Sequence, residues 1–224
     1  SFPTRRSSDL LKSGQETEIN APGPKVTQEQ FQALITQIKN TTSEDTVIVA
    51  GSVPNSIPSD AYAQIAEITK NTGAKLVVDA EKDLVDTVLP YRPLFIKPNK
   101  DELEVMFNTT VSSDHDVVKY GKEILKKGAQ SVIISLGGDG AIYVDEHQSI
   151  KAENPQGKVI NTVGSGDSTV AGMVAGLESG LSIQDAFKQA VASGTATAFE
   201  EDLATRDAIE KIKSQVTVSV LDGE

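Results

Sequence analysis

The sequence has no cysteine, and its only histidines are His115 and His147. Without thiols there is no disulfide framework and no thiolate metal site, and two imidazoles cannot build a histidine metal cluster. Aromatic residues make up only 4% of the chain, so its core must be assembled from Val, Ile, Leu and Ala. Basic residues are outnumbered by acidic ones, 21 against 32, for a net charge of -11. That field repels phosphate backbones and anionic lipid over long range, which argues against nucleic acid and membrane surfaces as partners. No apolar run approaches the roughly 20 residues needed to span a bilayer, and no apolar stretch follows the basic start as a signal peptide requires. The expectation is a soluble, cytoplasmic protein with one sizeable core.

What is present is a regular alternation. Residues 1–10 (SFPTRRSSDL) are Ser/Arg-rich and without periodicity, and read as a disordered tail or a foreign junction. From Thr27 onward helical periods alternate with short apolar runs. Helices are predicted over 28–39, 59–71, 81–89, 100–107, 116–127, 168–178, 183–199 and 205–214. Strands are predicted over 46–50, 75–79, 94–96, 131–136 and 216–220, with a short hairpin from Ala141. The strands are continuously apolar, so both sheet faces must be covered. That pattern predicts an α/β fold of three layers, α/β/α, around a mainly parallel sheet.

In such sheets ligands gather beyond the carboxyl ends of the strands. Four polar or glycine-rich segments fall there: Gly51-Ser52-Val53-Pro54, Ala80-Glu81, Lys97 to Glu102 (KPNKDE), and Leu136-Gly137-Gly138-Asp139-Gly140. The most informative motif is Asn161-Thr162-Val163-Gly164-Ser165-Gly166-Asp167-Ser168, which runs into a helix of small apolar residues. Glycines allow a tight turn whose free N–H groups, with the helix dipole behind them, form an anion site. Asp167 does not suit passive phosphate binding, because a carboxylate repels the phosphate. Beside a transferring phosphoryl group it could instead accept the proton of an attacking hydroxyl. The plainer reading makes Asp167 a helix N-cap.

Rival glycine motifs fare worse. A Walker loop needs Ser or Thr after Gly-Lys, and neither Gly121-Lys122 nor Gly157-Lys158 has one. A dinucleotide fingerprint would follow a strand at 158–163, but Thr169 stands at its last glycine position and Asp167 would face the pyrophosphate. No GxSxG elbow occurs, and neither histidine has a neighbouring Ser–Asp constellation.

Together, NTVGSGDSTVAG, SLGGDGA, KPNKDE and AGSVP, in this order's reverse along the chain, resemble the ribokinase-like (PfkB) carbohydrate kinases over Ser13 to Glu224. The KPN/NxxE form, the AGSVP loop and the ATAFEEDLA tail are similar to the phosphofructokinase and tagatose-phosphate kinase branch. The resemblance implies ATP and Mg²⁺ as cofactors and a sugar phosphate as substrate. Fructose 1-phosphate, phosphorylated at its 6-hydroxyl, is the first expectation and tagatose 6-phosphate the second. It makes Asp167 the catalytic base and the Gly164-Ser165-Gly166-Asp167 backbone an anion hole. It places Asn99 and Glu102 around Mg²⁺, through water. Lys97, Asn99, Ser135, Leu136, Gly137, Gly138, Asp139, Gly140 and Gly166 would meet ATP, Val191 and Thr195 would line the adenine pocket, and Ser52 would touch the substrate phosphate. The nonfunctional readings are a solvated helix start for 99–102, a plain turn for 135–140, helix packing for Val191 and Thr195, and a turn serine for Ser52.

The resemblance also departs from the family. Glu18 to Pro24 is similar to the last strand of a small β lid, making 11–26 a lid remnant and 27–224 the kinase core. The family's opening strand, with its substrate-binding Asp, and most of the lid have no counterpart here. The expectation is an N-terminally truncated kinase, inactive as it stands, whose full-length form is a homodimer. A reading of another class is a nucleotide-binding fragment without chemistry.

Overall fold

The computed structural model describes residues 6–10, 15–19 and 25–221. Strand β1 (Arg6–Leu10) pairs antiparallel with β2 (Gln15–Ile19) as a separate two-stranded sheet. Residues 6–10 are thus extended and paired, where the sequence reads as a tail or junction. The resemblance to a lid strand at 18–24 lies mostly outside the described residues.

The main sheet takes its strands in strict chain order, β3 (Thr46–Ala50), β4 (Lys75–Asp79), β5 (Phe95–Ile96), β6 (Ser131–Ser135), β7 (Ala141–Asp145), β8 (Ser149–Glu153) and β9 (Thr217–Val220). β3 to β6 are parallel, and β6 to β9 are antiparallel. The parallel half is the one anticipated. The antiparallel half contains the hairpin read from the sequence, as β7 with β8, and is larger than it because β6 and β9 flank that hairpin in antiparallel pairs.

The period of two along each strand sends side chains to two cores. Leu76, Val78, Ile96, Val132, Ile134, Ile142 and Val144 face one side. There they meet α1 (Gln28–Lys39), α2 (Ala61–Thr72), α3 (Lys82–Val88), α4 (Lys100–Phe107) and α5 (Asp114–Lys127) through Phe31, Ile65, Val85, Leu103 and Ile124. Val77, Phe95, Ile133, Tyr143 and Ile150 face the other side, against α6 (Ser165–Glu178), α7 (Ile183–Ala198) and α8 (Arg206–Lys213). The three layers expected from the apolar strands are therefore present. Among the described residues no helix is long and apolar enough to cross a membrane.

α6 and α7 pack closely because small residues face each other. A Cβ on Gly172 would lie 2.9 Å from Ala190 Cα, and one on Gly176 would lie 2.8 Å from Ala186 Cα. Either would force the helices apart, at a cost in contact across the whole interface. This contact fixes the start of α6 against the middle of α7.

Candidate active site

All the parallel strands end at one edge of the sheet, and the antiparallel turn after β6 and the segment after β8 come to the same edge. Four elements build the site there. Behind β5 the chain continues beside β6: Ser135 N–H donates to Pro98 O at 3.1 Å, and Asn99 forms an isolated bridge with Ser135. Next, a single 3₁₀ turn at Gly137–Asp139 leads into β7. Gly140 closes that turn at φ 91°, and a side chain there would run into the Ala152 carbonyl. Only glycine serves this position. Gly137 and Gly138 instead face open space.

The third element is the start of α6. The helix begins at Ser165, three residues before the predicted Ser168, so Gly164-Ser165-Gly166-Asp167 is cap and first turn rather than loop. Gly164 is the N-cap, at φ 83°, and no side chain caps the helix. Asp167 is not the cap. It is the third residue of the helix, with an exposed side chain. The preceding segment, expected to be strand-like over 158–163, is irregular. It is tied to the end of α7 by Ile160 N–H to Ala198 O at 2.8 Å, and Asn161 Nδ2 donates to Glu201 O at 3.2 Å. Exposed Val159 and Ile160 give that run its apolar look without a partner strand.

The fourth element is α7, which brings Val191 and Thr195 to the same place. These elements enclose a cleft of about 620 Å³, within the range of small-ligand sites. Asn99, Ser135, Leu136, Gly137, Gly138, Gly140, Ser165, Gly166, Val191 and Thr195 all line it. Asp139 lines a neighbouring cavity of about 390 Å³ across the glycine turn. Ser52 is exposed beyond β3, and it, Lys97, Glu102, Gly164 and Asp167 are not among the lining residues, Gly164 and Asp167 flanking the lining pair Ser165 and Gly166.

Two residues that the sequence reading passed over organise this edge. Asn154 links the opposite walls: its Oδ1 lies 2.7 Å from the Thr195 hydroxyl, and its Nδ2 donates to Gly137 O at 3.0 Å. Asp79, the last residue of β4, forms an ion pair with Lys97, Nζ to Oδ2 at 3.2 Å. Burial raises the Asp79 carboxyl above its usual range; the Lys97 charge and hydrogen bond oppose that rise, and Asp167 adds to it. Tyr62 stands close by, donating to Gly51 O at 2.7 Å, its hydroxyl pushed up to about 12 by burial and by Asp79.

These residues fit a nucleotide phosphate. The start of α6 lacks a side-chain cap, and Ser165 Oγ is buried without a hydrogen-bond partner, a costly arrangement in a finished core. The fit to Mg²⁺ is more limited. Asn99 and Glu102 form a capping box on α4, each side chain accepting the other's backbone N–H at 2.8 Å. The plainer reading of a helix start is thus realised, yet Glu102 Oε1 is outside that box. Among the described residues no group of three carboxylates or histidines could hold a metal alone. A hydrated ion shared with phosphates is what such a sparse set could support.

Residues 4–209 match the pfkB family of carbohydrate kinases. The 1-phosphofructokinase of Bacillus subtilis is 40% identical over 94% of this chain and 70% of its own length. The D-tagatose-1-phosphate kinase of Bacillus licheniformis is 33% identical over 95% of this chain and 70% of its own. A crystal structure from Staphylococcus aureus, provisionally designated a phosphofructokinase, is 80% identical and superposes with a TM-score of 0.88, covering 94% of this chain and 69% of that one.

Proposed function

We propose, from the premise that this chain belongs to the pfkB family of carbohydrate kinases, that it transfers the γ-phosphoryl group of ATP to the 6-hydroxyl of fructose 1-phosphate. The observation that carries this reading is Asp167, an exposed carboxylate in the first turn of an uncapped helix. Binding alone gains nothing from a negative charge at an anion site. A base that takes the hydroxyl proton as the oxygen attacks phosphorus does need one there. The first-turn N–H groups of α6 would hold the charge on the phosphoryl oxygens, and the Lys97 ammonium stands beside Gly166. The adenine would lie between Val191 and Thr195 on α7 and the glycine turn, and Ser52 would meet the phosphate already on the sugar.

Mg²⁺ would be held by the nucleotide phosphates with water-mediated help from Asn99 and Glu102; when bound it neutralises phosphate charge. The 33% identical tagatose kinase favours a second reading, in which the acceptor is a tagatose phosphate. The proposal is tested on the full-length enzyme, because the chain as given spans about 70% of its relatives' length, by following ADP release with Mg²⁺-ATP over a panel of fructose 1-phosphate, fructose 6-phosphate, tagatose 1-phosphate and tagatose 6-phosphate. Highest kcat/KM on fructose 1-phosphate is the expected result. Preference for a tagatose phosphate would install the second reading, and no release with any of them would remove both.

A further inference from the structure

Beside the cleft Asp79, Lys97 and Asp167 form one charge cluster, and the transfer reading gives Asp79 no part. Asp79 ends β4 and Lys97 follows β5, so neighbouring parallel strands deliver a carboxylate and an ammonium side by side. The lysine is only 7% exposed and the aspartate 18%. The far side of the ammonium is closed by α6: a Cβ on Gly166 would lie 3.3 Å from Nζ and 3.9 Å from Asp79 Oδ2. Gly166 immediately precedes Asp167. Its lack of a side chain therefore makes room for the ion pair; unlike Gly164, it is not a positive-φ residue.

A lysine on its flexible four-carbon stem has many positions to choose from. A buried ammonium, however, is tolerable only where a counter-charge meets it. Asp79 is the carboxylate in contact with Lys97. Loss of Asp79 would leave the ammonium with its desolvation cost and without the carboxylate that offsets it. The pair as a whole is neutral, so its main effect falls on where the charge sits rather than on how strongly the cleft attracts a nucleotide.

We infer that Asp79 is a positioning residue for phosphoryl transfer, holding the Lys97 ammonium against Gly166 where it meets the phosphoryl group in flight. This rests on the kinase reading proposed above. Asp79 touches neither nucleotide nor sugar in this assignment and acts through Lys97. Positioning of this kind matters because displacing a charge by about 1 Å can cost on the order of 100-fold in rate.

The test compares Asp79→Asn, Lys97→Met and the double replacement. Single-turnover transfer from Mg²⁺-ATP to fructose 1-phosphate, ATP affinity by calorimetry, and the Mg²⁺ concentration for half-maximal rate are measured on each. Asp79→Asn is expected to slow transfer about 10- to 100-fold while moving ATP affinity less than about 3-fold. The double replacement should be no slower than Lys97→Met, because Asp79 then has nothing left to hold. It also removes both buried charges, so it remains informative if the stranded ammonium of Asp79→Asn prevents folding. Multiplying defects, an unchanged rate in Asp79→Asn, or a shifted Mg²⁺ requirement in that variant would overturn the inference, the last by moving Asp79 to the metal. A chain that transfers to no sugar phosphate would bring down the kinase reading as well. Transfer abolished by Asp167→Asn but untouched by Asp79→Asn would remove this inference alone.

Discussion

Where β3 and β4 begin, Glu178 at the end of α6 accepts from Lys75 Nζ and from the Thr46 hydroxyl, both at 2.8 Å, and these bonds hold its carboxyl below the usual range. Where the same two strands end, Asp79 is half-buried, its carboxyl pushed up by burial and by the field of Asp167 against the pull of the Lys97 ammonium. One edge of the sheet satisfies its charges near water. The other withdraws charges from water, leaves Ser165 Oγ without a partner and keeps a helix start without a side-chain cap. A protein bent only on stability would make both edges alike. The difference marks where stability is given up for chemistry.

The largest expected break in that contrast comes from Asp167→Asn. Turnover should fall roughly 10²- to 10⁴-fold with ATP affinity little changed. Because Asp167 is exposed and caps nothing, thermal melts of the variant should match the parent. Lost affinity with near-normal turnover would make Asp167 a structural residue after all.

Gly140→Ala sharpens the contrast within the working edge. It forces a side chain at φ 91° into the Ala152 carbonyl, so denaturant unfolding should show a loss of about 2 kcal/mol or more. Gly138→Ala, facing open space, should leave stability nearly intact and instead raise the KM for ATP. Equal stability losses in the two would mean that the turn is a single rigid unit without a ligand-facing side.

Asn154→Ala should have a smaller effect. It cuts the link between Thr195 and Gly137, and the KM for ATP is expected to rise about 3- to 10-fold with kcat nearly constant. A fall in kcat alone would place Asn154 with the transfer step instead. Smallest of all is Glu178→Gln at the opposite edge. The depressed carboxyl contributes stability above the ordinary carboxylate range, and that contribution is lost as pH falls through its lowered folded value. Thermal melts should show a slight deficit at pH 7 that closes in acid. A deficit persisting in acid would trace to lost shape, not charge.

The sheet strands from Thr46 to Ser135 were legible because continuous Val/Ile runs between helical periods leave few alternatives. β8 was legible only as the unplaced second arm of the hairpin from Ala141, since Ile150 and Ala152 alone give its alternation an apolar face. The glycines of 164–166 suggested a loop continuing to Asp167, whereas α7 holds the first turn of α6 helical, with Gly194 so near that a Cβ there would crowd Ser165 O. The lining residues in 135–138, 140 and 165–166 were found because their motifs are local in sequence, whereas Val191 and Thr195 came only with the family resemblance. Asp79 and Asn154 were missed because nothing beside them in the chain sets them apart. An aspartate closing a strand and an asparagine in a loop gain their roles from β5 and α7, which the sequence places far away.

The strict chain order of the main sheet bears on how the molecule assembles. From β3 to β8 each new strand docks on the one just made, so a nascent chain leaving the ribosome could add them in turn over short loop closures. β9 breaks that rhythm: α6, α7 and α8 all intervene before it reaches β8. The layer carrying Asp167, Val191 and Thr195 should therefore be the last to consolidate, and the first to loosen when amide exchange is followed residue by residue.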